Sequence, residues 1–196
     1  PLPTCVPDQV ECNTNDDCIS ASGEIGYCVN GICLFDEGFN CDTNQALCDM
    51  FPMLATSDEW VRKNVGIEKR YICGEGEDLA GMLIKAGAED IEQSGVRKID
   101  RIIVGSNTQA RHFPATASLV AKGLKDKVDL SKCWCVDIQN GCPAGLAAMA
   151  LGVDAIRTGQ AETVLVIGGD TPSRMVDWFD RNTCLLLGDA ASAFVL

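Results

Sequence analysis

Basic residues are missing from the first 55 positions, which hold nine carboxylates and no Lys or Arg. The same stretch contains no His and no paired C-x2-C, so a zinc site there lacks its usual ligand pattern. Nowhere in the 196 residues is there an apolar run long enough to cross a membrane. The opening residues have neither the basic start nor the apolar core of a signal peptide, although a chain that begins at Pro1 leaves open a targeting segment already removed. A net charge of −12 argues against nucleic acid as a partner. Residues 56–196 are nearly balanced, with 19 acids against all 16 bases.

Cysteine is plentiful and unevenly spread. Seven of twelve fall in the first 55 residues, at 5, 12, 18, 28, 33, 41 and 48; the others are Cys73, Cys133, Cys135, Cys142 and Cys184. Residues 1–40 are also rich in Asn, Asp and Gly, and Asn30-Gly31 between Val29 and Ile32 predicts a hairpin. Close Cys spacing of this kind is consistent with a disulfide framework in an oxidising compartment, with one of the seven left unpaired. Reduced cysteines in an intracellular protein are the competing reading.

The rest of the chain alternates helices and strands. Asp42-Thr43-Asn44 caps a short helix, and Thr56 with Glu59 has capping-box spacing ahead of a second helix that Gly66 ends. That places Trp60 in a first helical turn. Asp78 caps a helix running to Ser94, with Leu79, Met82, Leu83, Ala86 and Ile91 on one face. Helices are also predicted over 114–124 and 143–158. Strands are predicted over 101–105, 133–138, 163–168, 184–187 and 190–196. The expected fold class is therefore α/β, with a mixed, mostly parallel five-stranded sheet and helices, following a Cys-rich N-terminal segment. The last two strands follow without a helix and are expected to be antiparallel.

One stretch carries chemistry: Asn140-Gly-Cys142-Pro143-Ala-Gly145, where small residues lead into the helix 143–158. Pro143 suits a first helical position. The free N–H groups and dipole of a helix start favour the thiolate form of Cys142, an acyl nucleophile. A buried structural cysteine is the alternative.

Residues 56–196 resemble the N-terminal half of a 3-oxoacyl-acyl-carrier-protein synthase III, a condensing enzyme of the thiolase-like superfamily. The likeness rests on several motifs in order: Thr56-Ser-Asp-Glu-Trp60 with Gly66-Ile67-Glu-Lys-Arg70; His112-Phe113-Pro114-Ala-Thr-Ala117; Asp137 to Gly145; Gly159 to Gly168; Val176 to Thr183; and Leu187-Gly188-Asp189-Ala-Ala-Ser-Ala193. The resemblance implies a thiolase-like layered fold over 41–196, with 1–40 a Cys-rich segment or insertion. Cys18 to Gly23 could then supply the family's first strand.

The same resemblance implies roles for particular residues. Cys142 takes an acyl group from a coenzyme A thioester. Trp60 and Arg181 sandwich the adenine, Thr56 touches the nucleotide end, and Phe113 reaches across a dimer interface. His112 is not where the family keeps its catalytic histidine and reads as structural. Coenzyme A enters as substrate, with no resident cofactor and no metal. Acyl-CoA and an acyl carrier protein are the implied partners, with a homodimer or a complementary C-terminal half. The implied location is the cytoplasm, or an organelle matrix if a targeting segment was removed.

The implied reaction is acylation of Cys142, then decarboxylative condensation with a malonyl thioester. The His and Asn that stabilise the enolate in this family lie in its second half, beyond Leu196. A hydroxymethylglutaryl-CoA synthase-like enzyme and a non-catalytic half-fold partner are the alternatives. A secreted disulfide-rich binding protein accounts for residues 1–50 only. One departure concerns phosphate binding: where the family often has Arg four residues after the Trp, this chain has Asn64, beside Arg62 and Lys63.

Overall fold

A computed structural model of the chain describes residues 27–29, 32–34, 43–74 and 76–196. The expected strand over 18–23 and the disulfide framework or insertion lie outside the described residues, apart from two short strands. These are β1 (Tyr27–Val29) and β2 (Ile32–Leu34), paired antiparallel with Val29 opposite Ile32, as the hairpin signal predicts. The chain divides into two compact units, Pro1–Gly76 with Ser173–Gly188, and Glu77–Pro172 with Asp189–Leu196.

The second unit is a sheet covered on both faces. It contains α3 (Leu79–Ser94), β3 (Arg101–Gly105), α4 (Thr116–Leu124), β4 (Trp134–Ile138), α5 (Ala144–Arg157), β5 (Val164–Asp170) and β6 (Ala190–Val195). The strand order is β4-β3-β5-β6. β3 runs parallel to both neighbours, and β6 pairs antiparallel with β5. Side chains alternate along the central strands, as the two-residue period requires. Ile102, Val104, Leu165 and Ile167 pack with α3 and α4, while Ile103, Val164 and Val166 pack with α5. Burial on both faces explains why Arg101-Ile-Ile-Val reads as a continuous apolar run.

The helix boundaries follow local chemistry. Asp78 caps α3 by accepting from the Gly81 N–H at 2.7 Å, and Gly95 ends it at φ 68°. α4 begins at Thr116, two residues later than the sequence predicts, and its N-cap Ala115 has no capping side chain. A residue from another element does that work. Asp137 on β4 accepts from the Thr116 N–H at 2.6 Å and the Ala117 N–H at 2.7 Å. Asp137→Ala leaves both donors without their carboxylate and should lower stability by about 1–2 kcal/mol, read as a fall in the urea midpoint.

At the amino end of the sheet, Asp100 is paired with Lys98 and accepts from the Glu162 N–H at 2.9 Å and the Thr163 N–H at 3.2 Å. Lys98, then the Glu162 amide, hold its carboxyl down at about 2. A group depressed on folding contributes its stability above the unfolded carboxylate value of about 4 and loses it as pH falls through the folded value. Between about pH 4 and pH 2, therefore, wild type should lose more urea resistance than Asp100→Asn does.

Two expectations need correction here. Residues 184–187 do not form a strand. Asp180 accepts from the Asn182 N–H at 3.0 Å and from Thr183 Oγ1 at 2.8 Å, which caps a helical turn, α6 (Arg181–Cys184). Three leucines are too short a run to overrule that cap, and Cys184 and Leu185 are buried in the first unit's core. The sheet is accordingly four-stranded among the described residues, not five-stranded.

The first unit packs α1 (Asn44–Met50), α2 (Asp58–Asn64) and α6 around Leu47, Phe51, Val61, Trp178 and Leu185. Thr43 caps α1. Ser57, not Thr56, caps α2, accepting from the Trp60 N–H at 3.1 Å. A buried polar chain ties these pieces together. Arg70 donates to Asn44 Oδ1 at 2.9 Å and to the Leu185 carbonyl at 3.2 Å. Asn44 in turn donates to Asp58 Oδ1 at 3.0 Å, the first residue of α2.

Candidate active site

The connection from β3 to β4 steps one way along the sheet and that from β4 to β5 steps back. Right-handed crossovers then require helices on opposite faces, and α4 and α5 are on opposite faces. The loops after β3 and β4 therefore part at the carboxyl ends of the strands. In open α/β sheets, ligands bind where such connections diverge. The loop after β4 carries Cys142.

Cys142 sits between Gly141, at φ 61°, and Pro143, at φ −80°. Pro143 is the N-cap of α5 and not its first helical residue; its carbonyl accepts from the Ala147 N–H at 2.9 Å. The helix start rests directly on the sheet. A Cβ at Gly105 would stand 2.5 Å from the Ala144 carbonyl oxygen, so only glycine fits there. A Cβ at Gly168 would lie 3.5 Å from the Gly145 Cα. Backbone contact with β3 and β5 thus fixes where the thiol begins.

Among the cysteines whose side chains are described, Cys48, Cys73, Cys133 and Cys135 are half-buried, Cys184 is buried, and Cys142 alone is exposed. Burial pushes the Cys184 thiol up to about 11 and raises that of Cys48. Neither is a thiolate at neutral pH. No group of three or more His, Cys, Asp or Glu side chains among the described residues is placed to hold a metal ion.

The loop after β3 braces the Cys142 turn. Asn107 Oδ1 accepts from the Gly141 N–H at 2.9 Å, and its Nδ2 donates to the Gly141 carbonyl at 3.0 Å. Asp170, ending β5, gathers that loop: its Oδ1 accepts from Ser106 Oγ at 2.9 Å, the Asn107 N–H at 2.6 Å, the Thr108 N–H at 3.0 Å and Thr108 Oγ1 at 2.9 Å. Sequence reasoning does not single out Asn107 or Asp170. The signal they carry is position, since each is a polar residue at the carboxyl end of a parallel strand. Phe113 and His112 lie on the same loop, both exposed, with Phe113 88% exposed.

Within the first unit, the structure brings Trp60 and Arg181 together. The guanidinium carbon lies 4.2 Å above the indole centroid, a cation–π contact. The two side chains touch each other, so a base entering between them has to move one aside. Trp60 is 41% exposed. Thr56 Oγ1 is buried without a hydrogen-bond partner among the described residues. Asn64 donates to the Trp60 carbonyl at 2.8 Å, and Arg62 is paired with Asp58 and Glu68.

Comparison with known proteins bears on this arrangement. Residues 136–196 match the sequence model of 3-oxoacyl-[acyl-carrier-protein (ACP)] synthase III. The chain is 38% identical over 150 residues to the beta-ketoacyl-[acyl-carrier-protein] synthase III of Ehrlichia ruminantium (strain Welgevonden), covering 76% of this chain and 46% of that one. Its structure resembles the crystal structure of 3-oxoacyl-[acyl-carrier-protein] synthase III from Aquifex aeolicus VF5, with a TM-score of 0.71 and 35% identity over 78% of this chain and 48% of the other. It is also similar to the priming beta-ketosynthase from the R1128 polyketide biosynthetic pathway, with a TM-score of 0.71 and 26% identity over 79% and 45%. The chain spans about half the length of the curated relatives it matches. With the strand order and the exposed thiol at the head of α5, these likenesses mean that the chain belongs to the 3-oxoacyl-acyl-carrier-protein synthase III family, and its sheet and helices are part of that family's thiolase-like α/β fold.

Proposed function

We propose that this chain carries the nucleophile of an acyltransferase that starts fatty-acid or polyketide chains from an acyl-CoA. The observation that carries the reading is that Cys142, alone among the cysteines whose side chains are described, is exposed, in the turn that leads from the carboxyl end of β4 into α5. Its thiolate attacks the thioester carbonyl, and coenzyme A leaves as the thiol after taking a proton. A malonyl thioester on an acyl carrier protein then loses carbon dioxide, and the carbanion attacks the acyl carbon and frees the Cys142 sulfur. Trp60 and Arg181 part to admit the adenine, and Thr56 lies at the nucleotide end.

The enolate oxygen needs neutral donors. The only histidine, His112, is an exposed residue of the loop after β3, so the donors come from a complementary C-terminal half of the fold. Helix α5 supports such a half. It has no polar side chain from Ala144 to Val153, yet Leu146 and Leu151 are 70% and 51% exposed. A helix apolar all round belongs in an interior. Phe113 similarly suits a homodimer contact.

Incubation of the chain, with the complementary half present, with acetyl-CoA should add one acetyl group, found by mass spectrometry on the peptide that contains Cys142. An unmodified Cys142 peptide under those conditions would sink this reading.

A further inference from the structure

We infer that Asn107 is a positioning residue for Cys142, holding the nucleophile's turn by its backbone while Asp170 holds Asn107. One side-chain amide pairs with both polar groups of a single residue, Gly141, at 2.9 and 3.0 Å. The Gly141 carbonyl also accepts from the Ala144 N–H at 3.0 Å, which closes the turn around Cys142. Asn107 therefore grips the residue immediately before the nucleophile through the peptide units on both sides of it, at a glycine whose φ of 61° gives the chain no steric preference of its own for this bend. Its Nδ2 donates a second time, to Asp170 Oδ2 at 3.2 Å, and its own N–H donates to Asp170 Oδ1 at 2.6 Å. The side chain is thus fixed from behind by the end of β5 and from in front by the turn.

The consequence for the reaction is geometric. Attack on a thioester requires the sulfur to be near the carbonyl carbon in the right direction, and misplacement by about 1 Å can cost about 100-fold in rate. Without Asn107 the turn keeps its glycine and loses the two bonds that choose among that glycine's conformations. Substrate affinity should survive, because Asn107 holds the backbone of Gly141 and not the acyl donor.

The part that concerns acyl transfer rests on the proposed function; the brace itself does not, and the test separates the two. In the full-length protein, Asn107→Ala should raise hydrogen exchange of the Gly141 amide at least about 10-fold, and should lower kcat for acetylation of Cys142 by acetyl-CoA about 10- to 100-fold with KM within about twofold. Asn107→Asp has nearly the same shape but loses both donations and sets a carboxylate against the Gly141 carbonyl and Asp170. It should be at least as slow as Asn107→Ala, whereas a space-filling role would leave it close to wild type.

Unchanged exchange at Gly141, or a loss carried by KM with kcat intact, would overturn the inference. Should wild-type Cys142 take no acetyl group, the acyltransfer reading fails and the exchange measurement alone decides the brace. If Asn107→Ala does not fold, the wild-type protein still decides, since a Gly141 amide exchanging as fast as its unpaired neighbours would refute the pairing.

Discussion

Cys142→Ser leaves no acetyl adduct after incubation with acetyl-CoA and lowers condensation by at least about 10³-fold, because removing the nucleophile of a covalent mechanism removes the pathway and not one contribution to it. The fold should be indifferent. Cys142 is exposed, so stability changes by less than about 0.5 kcal/mol. Cys184 is a poor substitute, because it is buried with its thiol pushed up to about 11. Activity and intact mass, measured on the same preparation, check the outcome. Retained acetylation in Cys142→Ser would move the nucleophile elsewhere.

Trp60→Ala should raise KM for acetyl-CoA about 10- to 100-fold, since stacking on a base contributes about 1–3 kcal/mol. It should leave the KM for acetyl-pantetheine, which has no adenine, within about twofold, and comparing the two donors separates loss of stacking from damage to α2. The Trp60–Arg181 contact refines the expectation for the partner residue. Because the guanidinium already rests 4.2 Å from the indole centroid, adenine gains one stacking face by giving up an existing cation–π contact. Arg181→Ala removes a wall of the slot and also the group that closes it, so its KM should rise less than that of Trp60→Ala. An equal rise for both donors would place Trp60 outside the nucleotide path.

Much of this molecule is legible in the sequence where one local signal is unopposed. Asp78 and Gly95 bound α3 as read, and β3 falls on Arg101–Gly105, because capping chemistry and a two-sided apolar run each have one solution. The hairpin around Asn30-Gly31 is of the same kind. Errors arise where a tertiary partner outweighs local pattern. Residues 184–187 look like a strand, but Asp180 starts a helical turn, and the buried pocket beside Phe51 and Trp178 takes the leucine that follows. The start of α4 is misplaced because its cap, Asp137, is 21 residues away in the chain. Cys142 stands out in the sequence from the small residues and helix start around it, and the structure leaves it exposed. Asn107 does not stand out, because its role exists only once β3 and β4 lie side by side and set one loop against the other.

The start of α5 meets the sheet main chain to main chain: Gly105 meets the Ala144 carbonyl, and Gly145 meets Gly168. Main chain has no rotamers to exchange. Exchanges among the Ile, Leu and Val residues nearby should therefore leave the sulfur's position unchanged. A laboratory search for new variants is best served by leaving Gly105 untouched, since a Cβ there would stand 2.5 Å from the Ala144 carbonyl oxygen.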